Sequence, residues 1–161
     1  MGVGEMTIEV TLTWVELWQA ALCGCTRRIS SMRDGLKKDN NTIGRSNWAT
    51  DIDGAAAELA YAKSTGQYWS ASLNSFKAPD VGDVQIRSTN HPSGHLIVRQ
   101  NDAENENYVL VICQGSNFKV KGWMLGSEAK DDTFWKDGHH GETGAWWVPQ
   151  ASLKPMKEMV I

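Results

Sequence analysis

The chain reads as one α/β (α+β) domain, a central mixed sheet of about five to six strands flanked by helices. Three observations lead there. Its 161 residues suit a single domain large enough to bury a core. Two stretches between residues 14 and 66 repeat apolar residues at the three-and-four spacing of an amphipathic helix. From residue 81 onward, short apolar-polar alternations are separated by turns rich in Gly, Asn, Pro and Ser, which is how strands read. The expected organisation is an N-terminal strand plus long amphipathic helix over 1–45, then a core over 51–161 that carries the chemistry.

Taken in order, Met6–Leu12 alternates as a strand, and Thr13-Trp14-Val15-Glu16 reads as a capping box opening a helix. Trp14, Trp18, Ala21, Cys25, Ile29 and Met32 keep helical spacing, mildly interrupted at Gly24. Two tryptophans at the start of one helix face are expected to pack as core, a second copy of the chain being the alternative. The next helix places Ile52, Ala55, Ala56, Leu59 and Ala60 on one face, with Asp51 or Asp53 to cap it and Gly66 to stop it. Gln67–Ser70 is expected as a short strand. Val81–Ser88 and His95–Gln100 are expected as a hairpin around Asn90–Gly94. Tyr108–Cys113 is apolar on both faces and is expected at the sheet centre. Phe118–Met124 returns beside it, Lys119 and Lys121 sharing a face with Trp123. Trp146–Pro149 is expected as a closing edge strand, since Pro149 cannot donate to a ladder.

Composition narrows the function. A net charge of −3 leaves no global footprint for nucleic acid, so any basic surface must be local. The densest basic patch is Arg27, Arg28, Arg33, Lys37 and Lys38, at the end of the first helix. It suits either a solvated helix C-terminus or contact with a phosphate backbone. Lys119 and Lys121, interleaved with Trp123, could hold a nucleic-acid strand. Three cysteines without a repeated spacing argue for a reducing compartment, and no apolar run approaches a membrane span. Cytoplasm is therefore the expected location. Sequence motifs for a serine-hydrolase elbow, a phosphate-cradling loop and a dinucleotide fold do not occur.

The chemistry concentrates between residues 51 and 88. Glu58 sits among alanines at the margin of an apolar helix face, where a carboxylate requires a partner: an arginine, a lysine or a metal ion. On the following strand Val84 and Ile86 face one way, Asp83, Gln85 and Arg87 the other, with Asp80 just before. If Glu58 lies opposite that polar face, the carboxylates can share a divalent cation, Mg2+ or Mn2+, which takes oxygen ligands. Gln85 would add a carbonyl oxygen, and Arg87 would neutralise charge growing on a phosphate. A solvated strand face is the plainer explanation of the same residues.

An AxxE helix followed by Asp80-Val81-Gly82-x-x-Gln85-x-Arg87 resembles the PD-(D/E)XK nuclease superfamily, especially small phage-encoded variants with arginine in place of lysine. The resemblance implies a restriction-endonuclease-like core and Mg2+-dependent hydrolysis of phosphodiester bonds, in DNA before RNA. It implies Glu58, Asp80, Gln85 and Arg87 as catalytic residues and Glu58, Asp80 or Asp83 as metal ligands. Arg27, Arg28, Arg33, Lys37, Lys119 and Lys121 would hold nucleic acid, in the cytoplasm of a host. The spacing from Asp80 to Gln85 is shorter than the usual hairpin, Gln85 is neutral, and Arg87 cannot act as a base. A degenerate module that binds nucleic acid or a host protein without cleavage is the alternative, and an interaction protein using its tryptophan-rich helix is the third.

Overall fold

The computed structural model describes residues 7–35, 46–73 and 78–160. Strand β1 (Ile8–Thr11) leads into α1 (Trp14–Arg33) and then α2 (Asn47–Thr65). Four further strands follow, β2 (Val84–Thr89), β3 (Leu96–Val98), β4 (Asn107–Gln114) and β5 (Asn117–Leu125). A one-turn helix α3 (Gly126–Ala129), β6 (Trp135–Lys136) and β7 (Ala145–Val148) complete the order, with short 3-10 turns between and after them. The expected mixed α+β character is present. The single sheet of five to six strands is replaced by two sheets, a four-stranded one in order β1-β5-β4-β2 and a three-stranded one in order β3-β7-β6.

Local chemistry sets the helix ends. Thr13 accepts from the Glu16 backbone N–H at 3.2 Å while its own N–H donates to Glu16 Oε2 at 2.7 Å, completing the expected capping box. Helix α2 begins earlier than expected: Ser46 caps it through Ala49 N at 3.2 Å, so Trp48, Asp51 and Asp53 lie inside the helix. Gly66 stops it as expected, in the left-handed conformation at φ 69° that glycine takes without steric cost.

Strand pairing corrects the hairpin. Strand β2 runs parallel to β4, whereas β3 pairs antiparallel with β7 in the other sheet. The reason is apolar surface: fully buried Leu96 and Val98 join Tyr108, Leu110 and Ile112 in a core between the sheets. Strand β4 is central and buried almost throughout, as its two-faced apolar sequence requires. Its opposite face gives Val109, Val111 and Cys113 to the larger core beneath α2, with Ala56, Ala57, Ala60 and Tyr61. Residues 67–70 form no strand, and β7 is the middle rather than the edge of its sheet.

A β-bulge shifts the β4–β5 register between Leu110 and Val111, so Leu110 faces Gly122 and Val111 faces Val120. The extra residue is Lys121, and alternation breaks there. Trp123 packs with Phe118 and Val120 against the α2 core, hence on the side opposite Lys119, not with it.

Helix α1 packs on α2 through one face only. Ala20, Cys23, Gly24 and Arg28 are buried there. A Cβ on Gly24 would stand 2.5 Å from Ile52 Cα and 2.7 Å from Asp51 O, so glycine is what lets the two backbones meet. The break in helical pattern is the point of closest approach. The opposite face contradicts the expected core packing: Trp14 is 82% exposed, Trp18 68% and Leu22 57%.

Candidate functional site

Helix α2 is enclosed by α1 on one side and the sheet on the other, which buries Glu58 to 6% exposure. The partner this burial demands is Arg27. Its Nη1 donates to Glu58 Oε1 at 2.8 Å and its Nη2 to Oε2 at 2.9 Å, a bidentate pair. Trp69 Nε1 donates to Oε2 at 3.0 Å, and Arg27 Nε donates to Ser72 O at 2.9 Å. Burial works against the guanidinium charge, but the bonds and charge of Glu58 outweigh it and hold Arg27 above its usual range. Of the partners open to Glu58 from the sequence, arginine is the one in place. Trp69, expected in a strand, is instead a loop donor whose role no sequence periodicity announces.

Asp80 lies half-buried in the turn before β2. Its N–H donates to Val84 O at 2.9 Å and its Oδ2 accepts from Ile86 N at 2.7 Å. Strand β2 is the outer member of its sheet, so these bonds satisfy backbone groups on its unpaired side. Burial first, then the Glu58 charge, push the Asp80 carboxyl up to about 6, against the pull of Ile86 N–H, Arg87 and Arg27. Asp80 and Glu58 are thus within electrostatic reach of each other.

The strand residues divide differently. The parallel register sets Ile86 beside Val109, on the face that packs against α2, and sets Gln85 and Arg87 beside Tyr108 and Leu110 on the other. Gln85 Nε2 donates to Ala78 O at 3.3 Å. Arg87 Nη2 pairs with Asp102 Oδ2 at 2.9 Å, and its guanidinium carbon stands 5.1 Å from the centroid of the Tyr108 ring. The polar face of β2 therefore turns away from the helix that carries Glu58. Asp83 is exposed in the turn before β2, outside the strand. Asp102, from the acidic loop after residue 100, is a partner that the sequence pattern did not single out.

Three N–H donors occupy most of the acceptor capacity of Glu58, and its charge is already met by Arg27. Among the described residues no cluster of three or more His, Cys, Asp or Glu could hold a metal ion. Among the described residues, Arg27 already balances Glu58, and Gln85 and Arg87 lie on the face of β2 away from α2, so these side chains do not converge into the Mg2+ or Mn2+ site that the motif implies.

The basic residues are likewise engaged. Arg27 holds Glu58, and Arg28, 4% exposed, lies 3.5 Å from Asp51 Oδ2. Arg33 is exposed and pairs with Asp34 at 3.0 Å. Lys119 approaches Glu9 at 3.7 Å, and Lys121 donates to Thr7 Oγ1 at 3.1 Å. Lys37 and Lys38 lie outside the described residues. The cysteines are free thiols, Cys23 and Cys113 buried, Cys25 half-buried, and burial pushes the Cys23 thiol up.

Beside these residues lies an open apolar surface. The outer face of α1 presents Trp14, Val15, Trp18, Leu22, Ile29 and Met32, each more than half exposed. Contiguous exposed apolar surface of this kind marks an interaction site. Their helical spacing was legible in the sequence; which of two faces turned inward was not. Comparison of the chain with protein-family models, curated proteins and solved structures gave no match.

Proposed function

We propose that the chain is a non-cleaving interaction module that binds protein through the outer face of α1. The observation that carries this is the run of large apolar side chains exposed along that helix. The carboxylates that a nuclease would use support the same reading. Glu58 closes the α1–α2 junction as half of an ion pair, and Asp80 completes the backbone bonding of β2. Gln85 and Arg87 bond to the chain on the far face of the sheet.

A second reading, metal-dependent phosphodiester hydrolysis by Glu58, Asp80, Gln85 and Arg87, draws on one observation. A carboxyl titrating near neutrality beside another carboxylate is the kind of perturbation that active sites show. The two readings part in one assay. Folded protein is incubated with plasmid, linear and single-stranded DNA and with RNA, in Mg2+, Mn2+ or chelator. The interaction module leaves every substrate intact. Metal-dependent cutting that Glu58→Gln abolishes would overturn it.

A further inference from the structure

We propose that the occupant of the outer face of α1 is a second copy of the same helix, laid antiparallel. This rests on the interaction reading above and names the partner. Val15, Trp18, Leu22, Cys25, Ile29 and Met32 follow intervals of 3, 4, 3, 4 and 3 along α1. That is the alternation of a two-helix seam, in which side chains of one helix insert between those of the other.

The seam is complementary to itself when reversed. Laid antiparallel, Val15 meets Met32 of the second copy, Trp18 meets Ile29, and Leu22 meets Cys25. Each layer then matches a bulkier residue with a smaller or more adaptable one. A parallel arrangement would stack Trp18 on Trp18 and set Arg33 beside its own counterpart. The antiparallel one carries exposed Arg33 to the Trp14 end of the other copy, where a guanidinium can lie over an indole. It also opposes the two helix dipoles.

Area and surroundings agree. The exposed parts of these side chains with Trp14 offer on the order of 800 Å² per copy, the per-partner area of a standard interface. The face packed on α2 centres on Ala20, Cys23, Gly24 and Arg28, on roughly the other side of the helix, so the bodies of both copies lie outside the seam. Of the positions flanking the seam, Gln19, Ala21 and Thr26 are uncharged and Arg28 is buried beside Asp51, which leaves Arg33 as the one exposed cation on this face of α1. A helix that binds anionic lipid carries Lys and Arg along its polar face instead.

Sedimentation velocity over a concentration series tests the pairing. Wild type is expected as a dimer at micromolar concentration, and Trp18→Glu/Leu22→Glu as a monomer, with affinity lowered at least about 100-fold. Both residues are exposed, so circular dichroism should show the fold unchanged. Crosslinking sets the direction. A mixture of Val15→Cys and Met32→Cys chains should form a mixed disulfide dimer on mild oxidation, and neither alone should crosslink through the new thiol. Antiparallel packing separates each new thiol from its own copy by about 25 Å, far beyond disulfide reach. Self-crosslinking of both variants would overturn the antiparallel direction. A wild-type monomer at all concentrations, or a monomer that binds vesicles containing anionic phosphatidylglycerol, would overturn the pairing. A monomer that does not bind vesicles overturns the pairing and leaves the interaction reading standing, whereas nucleic-acid cutting or vesicle binding through this face overturns the interaction reading itself.

Discussion

The two faces of α1 differ in how completely they are used. The inner face is closed: Gly24 touches α2 backbone, and Arg27 meets a buried carboxylate with two hydrogen bonds. The outer face carries six large apolar side chains that remain more than half exposed. The same 20-residue helix thus joins a structural junction to an open surface. Charged residues look functional in a sequence because burying charge is costly, yet here that cost is met inside the chain. Unmet hydrophobic burial is the better pointer to function.

The largest effect should come from breaking the inner junction. Glu58→Ala leaves Arg27 without its carboxylate and is expected to cost about 3 kcal/mol or more in urea denaturation. An unchanged midpoint would mean that the pair contributes nothing and that Glu58 is held for another purpose. Gly24→Ala comes next. Its methyl must push α2 away, with an expected loss of about 1–3 kcal/mol; a stabilised variant would show that the helices do not meet so closely.

Asp80 links this region to pH. Its carboxyl titrates at about 6 in the folded chain against 3.8 for the ordinary group, so the folded state holds the proton more tightly. The Asp80 contribution to stability should therefore be fully present below about pH 4, fall as pH rises toward 6, and be lost above. Asp80→Asn, which keeps an acceptor for Ile86 N–H, should remove that slope in denaturation curves collected across this range. Persistence of the full slope would assign it to another group. Thr13→Ala should cost about 1 kcal/mol by removing the cap, without altering either face of the helix.

The elements with local causes were readable in the sequence. Thr13 to Glu16, Gly66 and the two-faced apolar run at Tyr108–Cys113 each state their structure within a few residues. Elements decided by distant partners were not. Strand β3 left the expected hairpin because Leu96 and Val98 bury better beside β7, and a bulge at Lys121 moved Trp123 across the sheet. The site divides in the same way. Glu58 and Asp80 lie within electrostatic reach of each other, but the parallel register that sends Gln85 and Arg87 to the other face is set by β4. Nor does local spacing tell which stripe of α1 turns inward, since Gly24 decides it only once α2 is present.

Tryptophan oxidation footprinting of native protein, at nanomolar and then high micromolar concentration, reads whether the outer face of α1 becomes covered. Exposed Trp14 and Trp18 should react freely when dilute and become protected when concentrated, while Trp48 on α2 keeps one reactivity throughout. Equal reactivity of Trp14 and Trp18 at both concentrations would mean that the outer face of α1 stays open where a second copy should cover it.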